Sequence, residues 1–179
     1  MVKTSPDYRR YDLQAGPVSP RGIPGHGAGF VKVDSDEHDE SGHITEDLGL
    51  RVRMVDKRLG KLDLLRREAL PPELSGEAGA ATMVISWGST YHAVQEALAG
   101  GVGRDICHLH FAQVYPLPPG LDKLLSTARQ RIVVEGNAGG QFARLLERET
   151  GVHIDRQVLK YNGMPFAVEE IAAALGQSR

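Results

Sequence analysis

The sequence predicts an α/β domain of three layers, α/β/α, from about residue 80 onward. Short apolar runs alternate there with helical segments. Runs of this kind are typical of strands buried on both faces, and alternation with helices favours right-handed βαβ crossovers in a parallel sheet. The predicted strands are 81–87, 106–116, 131–135 and 153–160, and the predicted helices are 91–98, 121–128, 141–150 and 168–175.

The composition is that of an ordinary globular protein. Of its 179 residues, 41% are hydrophobic and 25% charged, which suits one domain with an appended arm. The net charge of −2 gives no bias toward nucleic acid or an anionic membrane. We expect no signal peptide, and no apolar run approaches the roughly 20 residues of a spanning helix. The single cysteine, Cys107, is too few for an iron–sulfur cluster and favours a cytoplasmic location.

The N-terminal part predicts an irregular arm over residues 1–29. Four prolines and five glycines occur there without hydrophobic periodicity. FVKV (30–33) has the composition of a short strand. We therefore divide the chain into an arm, 1–29, and a domain, 30–179.

A basic amphipathic helix is predicted over residues 48–70. Apolar residues recur there at three-to-four spacing, which places them on one helix face. Two prolines then end the helix, and residues 71–80 read as a linker. The predicted apolar face consists of Val55, Leu59, Leu62 and either Leu65 or Arg66.

Three carboxylates and two imidazoles occupy residues 37–43, directly before this helix. An EF-hand calcium loop is excluded because the glycine and glutamate that such loops require are missing. Three interpretations stay open. The segment pairs with the basic residues of 51–67, supplies a contact to a partner, or holds a metal through His38 and His43.

Two glycine-rich loops define the candidate ligand site. In a parallel sheet, ligands bind beyond the carboxyl ends of the strands, where the winding reverses. SWGST (86–90) and EGNAGGQ (135–141) are expected to flank that point and to open helices there. Neither has dinucleotide or Walker spacing, so an anion-binding crevice and simple helix–strand packing both stay open. The candidate residues are Trp87, Gly88, Ser89, Asn137, Gly140 and Gln141, with His38 from the acidic segment.

Other polar residues predict no catalytic centre. His108 and His110 share one face of their predicted strand, an arrangement typical of polar contacts at a sheet surface. Cys107 points the other way and is expected in the core. Nucleophile, base and oxyanion donors do not assemble in any motif, so no catalytic residue is predicted.

A set of motifs covers nearly the whole chain. The motifs are YRRY (8–11) with SPRGIPG (19–25), EHDESGHITED (37–47), MVDKRLGKL (54–62), VISWGST (84–90), HLHFAQVYPLP (108–118), VVEGNAGGQFARLL (133–146) and KYNGMPF (160–166). In this order they resemble the C-terminal part of the alpha subunit of 2-oxoacid:ferredoxin oxidoreductases, especially the 2-oxoglutarate synthase type.

The resemblance implies a fold similar to the C-terminal domain of transketolase. In that fold a five-stranded sheet lies between helices, and its first strand is antiparallel to the rest. FVKV would be that strand. The arm would be a connector from a preceding domain, and the acidic segment and the basic helix would meet neighbouring domains or a beta subunit.

The resemblance also implies an activity for the larger assembly. Family enzymes convert a 2-oxoacid, coenzyme A and oxidised ferredoxin to acyl-CoA, CO₂ and reduced ferredoxin. They use thiamine diphosphate with Mg²⁺ and a [4Fe–4S] cluster. The thiamine cofactor lies between a pyrimidine-binding domain, which normally precedes these residues, and the beta subunit. We therefore expect this chain to bind no cofactor and to be inactive alone.

Overall fold

The computed structural model describes residues 1–34, 36–103 and 105–176. The chain forms two compact units, Met1–Leu65 and Arg66–Arg179. The first unit contains the arm, the acidic segment and most of the basic helix, and the second contains the sheet. The domain boundary at residues 29 and 30 stays a prediction.

The first unit is built on two short strands and one long helix. Strands β1 (Val2–Thr4) and β2 (Gly22–Gly27) pair in parallel, so the arm that was predicted to be irregular contains a small sheet. Helix α1 (Leu48–Arg67) lies within the segment 48–70 for which a basic helix is predicted. Its N-terminus is capped by Asp47, whose carboxylate accepts the backbone N–H groups of Gly49 and Leu50 at 2.8 and 3.0 Å.

The buried face of α1 differs from the predicted one. Met54 is its fully buried side chain, and it lines a small cavity with Tyr11 and His38. Leu59 and Leu65 of the predicted apolar face are instead exposed. Helical periodicity revealed that α1 has an apolar face, but the arm packs against another side of the helix.

The second unit confirms the predicted fold class. Its five strands have the order β3-β5-β4-β6-β7, with β3 antiparallel to β5 and the other pairs parallel. The strands are β3 (Glu73–Ser75), β4 (Thr82–Trp87), β5 (Ile106–Phe111), β6 (Gln130–Glu135) and β7 (Arg156–Leu159). The helices are α2 (Tyr91–Ala99), α3 (Leu121–Leu125), α4 (Gln141–Thr150) and α5 (Val168–Gly176).

The prediction that FVKV is the antiparallel strand is wrong. Residues 30–33 have no regular structure, and Phe30 and Val33 are exposed. The antiparallel strand is β3, inside the segment 71–80 that reads as a linker. Its sequence, Glu-Leu-Ser, has little intrinsic strand propensity. The strand forms because it pairs with β5, with Leu74 opposite Leu109.

Side chains of the central strands alternate between two apolar layers. Met83, Ile85 and Leu109 pack on one face with residues of α3 and α4, and Cys107 lies in this layer as predicted. Val84 and Ile132 pack on the other face with residues of α2 and α5. Within the described residues, every helix is too short or too polar to cross a bilayer.

Candidate functional site

The predicted reversal of winding lies between β4 and β6. Strand β4 is central. The chain continues from it to β5 on one side and then crosses to β6 on the other side, which reverses the direction in which strands are added. A cavity of about 150 Å³ lies at their carboxyl ends and is bordered by both glycine-rich loops. The lining residues are Trp87, Ser89, Thr90, Ala93, Gly136, Met164, Pro165 and Phe166. Most of its wall is therefore apolar, and KYNGMPF supplies a large share of it.

A buried carboxylate closes the second loop. Glu135, the last residue of β6, is completely inaccessible to solvent. Its side chain accepts the backbone N–H groups of Phe142 and Ala143 at 2.9 and 3.1 Å. It also accepts the amide of Asn137 at 2.6 Å. Glu135 thus satisfies N–H groups in the first turn of α4 and lies at the positive end of that helix dipole.

Two further candidate residues shape the same loop. The side-chain oxygen of Asn137 accepts the backbone N–H groups of Gly139 and Gln141 at 3.0 and 3.3 Å. Gly140 has φ of +56°, and a Cβ atom there would lie 2.0 Å from the side-chain oxygen of Gln157. The left-handed conformation and the close approach both favour glycine. Asn137 and Gly140 therefore have a structural role.

This loop geometry argues against an anion site at α4. The backbone N–H groups that would receive a phosphate already donate to Glu135 and Asn137, and an anion would also meet the carboxylate of Glu135. At the other loop, Gly88 and Ser89 are exposed. The indole nitrogen of Trp87 is buried, and it is the one buried side-chain nitrogen or oxygen without a hydrogen-bond partner among the described residues.

A buried polar network lies on the sheet face that α2 covers. His108 and His110 are 1% and 8% exposed, so they are buried polar contacts rather than surface ones. Ser86 Oγ lies 2.6 Å from His108 Nε2 and 2.8 Å from His110 Nδ1. Gln95 Nε2 donates to His108 Nδ1 at 2.8 Å and to Ser75 Oγ at 2.6 Å.

These contacts define the direction of the hydrogen bonds. Because His108 Nδ1 accepts from Gln95, the proton of a neutral His108 lies on Nε2 and is donated to Ser86 Oγ. The Ser86 hydroxyl can then donate to His110 Nδ1. Burial, together with the smaller effect of the neighbouring His110, lowers the pKa of His108 to about 4. The network therefore suits neutral imidazoles. Spacing in β5 predicted the paired histidines, but nothing local marked Ser86 or Gln95 as their partners.

In the first unit, the acidic segment pairs with α1. Arg58 donates two hydrogen bonds to the carboxylate of Glu37, at 3.0 and 2.8 Å, and Arg51 lies 3.6 Å from it. The hydrogen bonds from Arg58 lower the pKa of Glu37 to about 2. Glu40 similarly pairs with Arg9 of the arm at 3.1 Å. The ion-pairing interpretation of this segment agrees with these contacts.

The two histidines of the segment have separate surroundings. The ring of His38 stacks on Tyr11, with centroids 3.7 Å apart. His43 Nε2 lies 2.8 Å from Lys32 Nζ. Across residues 1–34, 36–103 and 105–176, no three histidine, cysteine or acidic side chains are grouped so that they could hold a metal ion. His38 therefore packs against Tyr11 of the arm.

The chain is similar to alpha subunits of 2-oxoacid:ferredoxin oxidoreductases. It is 32% identical over 173 residues to subunit alpha of 2-oxoacid:ferredoxin oxidoreductase 1 from Sulfurisphaera tokodaii. It is 35% identical over 177 residues to subunit alpha of 2-oxoacid:ferredoxin oxidoreductase 2 from Aeropyrum pernix. Each alignment covers 94% of this chain and 27% of the relative, so the chain spans about a quarter of the length of these curated relatives. No family model matches the chain.

A solved structure is similar over almost the whole chain. It is 2-oxoglutarate:ferredoxin oxidoreductase from Magnetococcus marinus, with 2-oxoglutarate, coenzyme A and succinyl-CoA bound. The TM-score is 0.84 at 26% identity, and the match covers 95% of this chain and 30% of that one. The 2-oxoglutarate name belongs to this solved structure, while the sequence relatives carry the broader 2-oxoacid name.

The residues present do not fit an iron–sulfur cluster. Such a cluster is usually held by four thiolates, and this sequence has one cysteine, Cys107, which is buried among apolar side chains. Burial raises the pKa of the Cys107 thiol, which disfavours the thiolate that a metal requires.

We expect the free energy of unfolding to decrease as the pH is lowered from 6.5 toward 4, because the buried imidazole of His108 disfavours protonation. Its pKa of about 4 lies below the ordinary value of 6.5, so the stabilisation is fully present above pH 6.5 and is lost as the pH falls toward 4. The loss should approach roughly 3 kcal/mol. Urea unfolding of wild type, His108→Asn and the exposed control His92→Asn measures it. An equally steep pH dependence in His108→Asn would contradict this assignment.

Removing the carboxylate of Glu135 should destabilise the second unit. Glu135→Ala leaves the buried N–H groups of Phe142 and Ala143, and the partly buried amide of Asn137, without this acceptor. The free energy of unfolding should fall by about 3 kcal/mol, and by about 1 kcal/mol for Glu135→Gln. Denaturant unfolding followed by circular dichroism provides the measurement. The exposed residue Glu96 supplies a matched control, because Glu96→Ala should change stability by no more than about 0.5 kcal/mol. Equal stabilities of Glu135→Ala and Glu96→Ala would show that the loop does not depend on this carboxylate.

Proposed function

We propose that this chain is the C-terminal assembly part of the alpha subunit of a 2-oxoacid:ferredoxin oxidoreductase of the 2-oxoglutarate type. The observation that carries the proposal is the similarity along 94% of the chain to about a quarter of longer alpha subunits. The fold match with a TM-score of 0.84 supports the same alignment. The chain would supply a scaffold domain to an enzyme whose reactive groups lie in other polypeptide.

The satisfied polar groups of the second unit support a non-catalytic role. Glu135 bonds the first turn of α4, and Ser86 bonds two histidines that α2 covers. None of these side chains is accessible for acid–base or nucleophilic work. Thiamine diphosphate, Mg²⁺ and the [4Fe–4S] cluster would accordingly be held by the rest of a cytoplasmic complex, which would convert 2-oxoacid, coenzyme A and ferredoxin.

Apolar side chains around the switch-point cavity support contact with a neighbouring domain. Tyr161 and Met164 of KYNGMPF are 73% and 67% exposed, and Met164 lines the cavity beside Trp87. Exposed side chains of this size, next to a buried indole N–H without an acceptor, suit a surface that another chain covers. The preceding pyrimidine-binding domain or the beta subunit would be that chain.

A chimeric enzyme tests the proposal. The segment of the Sulfurisphaera tokodaii alpha subunit that aligns with this chain would be replaced by this chain and coexpressed with its beta subunit. We expect the chimera to copurify with the beta subunit and to oxidise 2-oxoacid, whereas deletion of the segment should abolish assembly. The isolated chain should bind no thiamine diphosphate by calorimetry in the presence of Mg²⁺. Turnover by the isolated chain would refute the proposal.

Variants of the exposed surface refine this experiment. Tyr161→Asp with Met164→Asp should reduce recovery of the beta subunit at least tenfold, because both substitutions place charge on a surface that must be desolvated. Lys123→Asp in α3, also exposed, should leave recovery unchanged. Stabilisation of the isolated chain by millimolar coenzyme A would instead favour the anion-binding alternative. Gly140→Val is unsuitable as its control, since the left-handed conformation makes that substitution disruptive without any ligand.

A further inference from the structure

An apolar stripe on α1 faces away from the rest of its unit. Five residues recur at intervals of four, three, four and three, which is the spacing of positions a and d in a heptad repeat. Leu48, Val52 and Leu59 are 76%, 59% and 61% exposed. The stripe consists of Leu48, Val52, Val55, Leu59 and Leu62.

The opposite side of α1 is covered by the arm. Met54 is buried beside Tyr11, and Lys57 donates to the backbone oxygen of Gly16. A Cβ atom on Gly60 would lie 3.3 Å from Pro17. The helix therefore has one face that its own unit buries and a second, apolar face on which Leu48, Val52 and Leu59 are exposed. Val55 and Leu62 of that face are half-buried.

Charges along the two edges of the stripe indicate the occupant. With Val52 and Leu59 at position a, Arg51 and Arg58 occupy position g and Asp56 and Asp63 occupy position e. In a parallel pair of helices, position g faces position e five residues further along the other helix. Arg51 would then meet Asp56 of a second copy, and Arg58 would meet Asp63. An antiparallel pair would place like charges together.

Contacts within the chain position Arg51 and Arg58 along the edge of the stripe. Both contact Glu37, Arg58 through two hydrogen bonds and Arg51 at 3.6 Å. Their side chains remain 44% and 60% exposed, so each guanidinium can also bond a second carboxylate. Glu37 thereby restricts the two arginines before association and reduces the entropy that they would lose on pairing.

We propose that α1 pairs in parallel and in register with α1 of a second copy of this chain, through the stripe and its flanking charges. The inference does not depend on the proposed enzyme. The helix already exists in the monomer, so association does not have to fold it. The seam contains fewer than three heptads and lies near the lower limit of specific interfaces, so the dissociation constant should be on the order of 10 µM.

Sedimentation velocity of the full chain between about 1 and 300 µM tests association in the range of that dissociation constant. We expect a monomer–dimer equilibrium. Val52→Asp with Leu59→Asp should raise the dissociation constant at least tenfold, while Arg53→Asp, off the stripe, should leave it within twofold. Asp56→Lys with Asp63→Lys should weaken the dimer more at low salt than at high salt. Circular dichroism would verify that each variant is folded. A monomer at every concentration would overturn the proposal.

Cysteine cross-linking tests the parallel register. In this arrangement Leu48 and Leu62 each face their own counterpart, so Leu48→Cys and Leu62→Cys should each form a disulfide-linked dimer under mild oxidation. An antiparallel pair could bring at most one of these positions together with itself. Arg53→Cys is the control and should form no disulfide-linked dimer, and native Cys107 is buried. Failure of either stripe variant to cross-link beyond this control would overturn the register. A monomeric chain whose stripe substitutions block beta-subunit recovery in the chimera would identify the partner subunit as the occupant instead.

Discussion

The buried carboxylate of Glu135 organises the carboxyl edge of the sheet. A buried charge without hydrogen bonds is very unfavourable, so β6, its loop and α4 must adopt an arrangement that brings N–H groups to this side chain. Phe142 and Ala143 supply two of them and Asn137 a third. The turn that allows this geometry passes through Gly140 at φ of +56°. The position of Gly136 in the cavity wall follows from the same turn.

Several polar side chains of the central strands are buried, whereas several large apolar side chains elsewhere are exposed. Polar groups on the central strands bond one another, as Glu135 does with α4 and Ser86 with His108 and His110. Large apolar side chains on α1 and around Met164 stay exposed. The proposed assembly role is consistent with this contrast.

Prediction from sequence succeeded where the signal is local. Apolar runs identified β4, β5 and β6, because strands buried on both faces need apolar side chains at most positions. The winding rule then located the candidate site between β4 and β6. The role of Glu135 was missed, since a glutamate at the end of an apolar run looks like the start of a loop. Only the folded chain brings the N–H groups of residues 142 and 143 to it.

The sequence by itself determined the layers of the second unit, the presence of α1 and the position of the switch point, because each depends on the periodicity of neighbouring residues. Tertiary structure decided which side of α1 is buried, which segment forms the antiparallel edge and what fills the N-terminus of α4. Those outcomes depend on partners far apart in the chain: the arm packs on α1, Glu73 lies opposite His110, and Glu37 pairs with Arg58. Local sequence favoured FVKV as the antiparallel strand, but the segment that pairs with β5 is Glu-Leu-Ser.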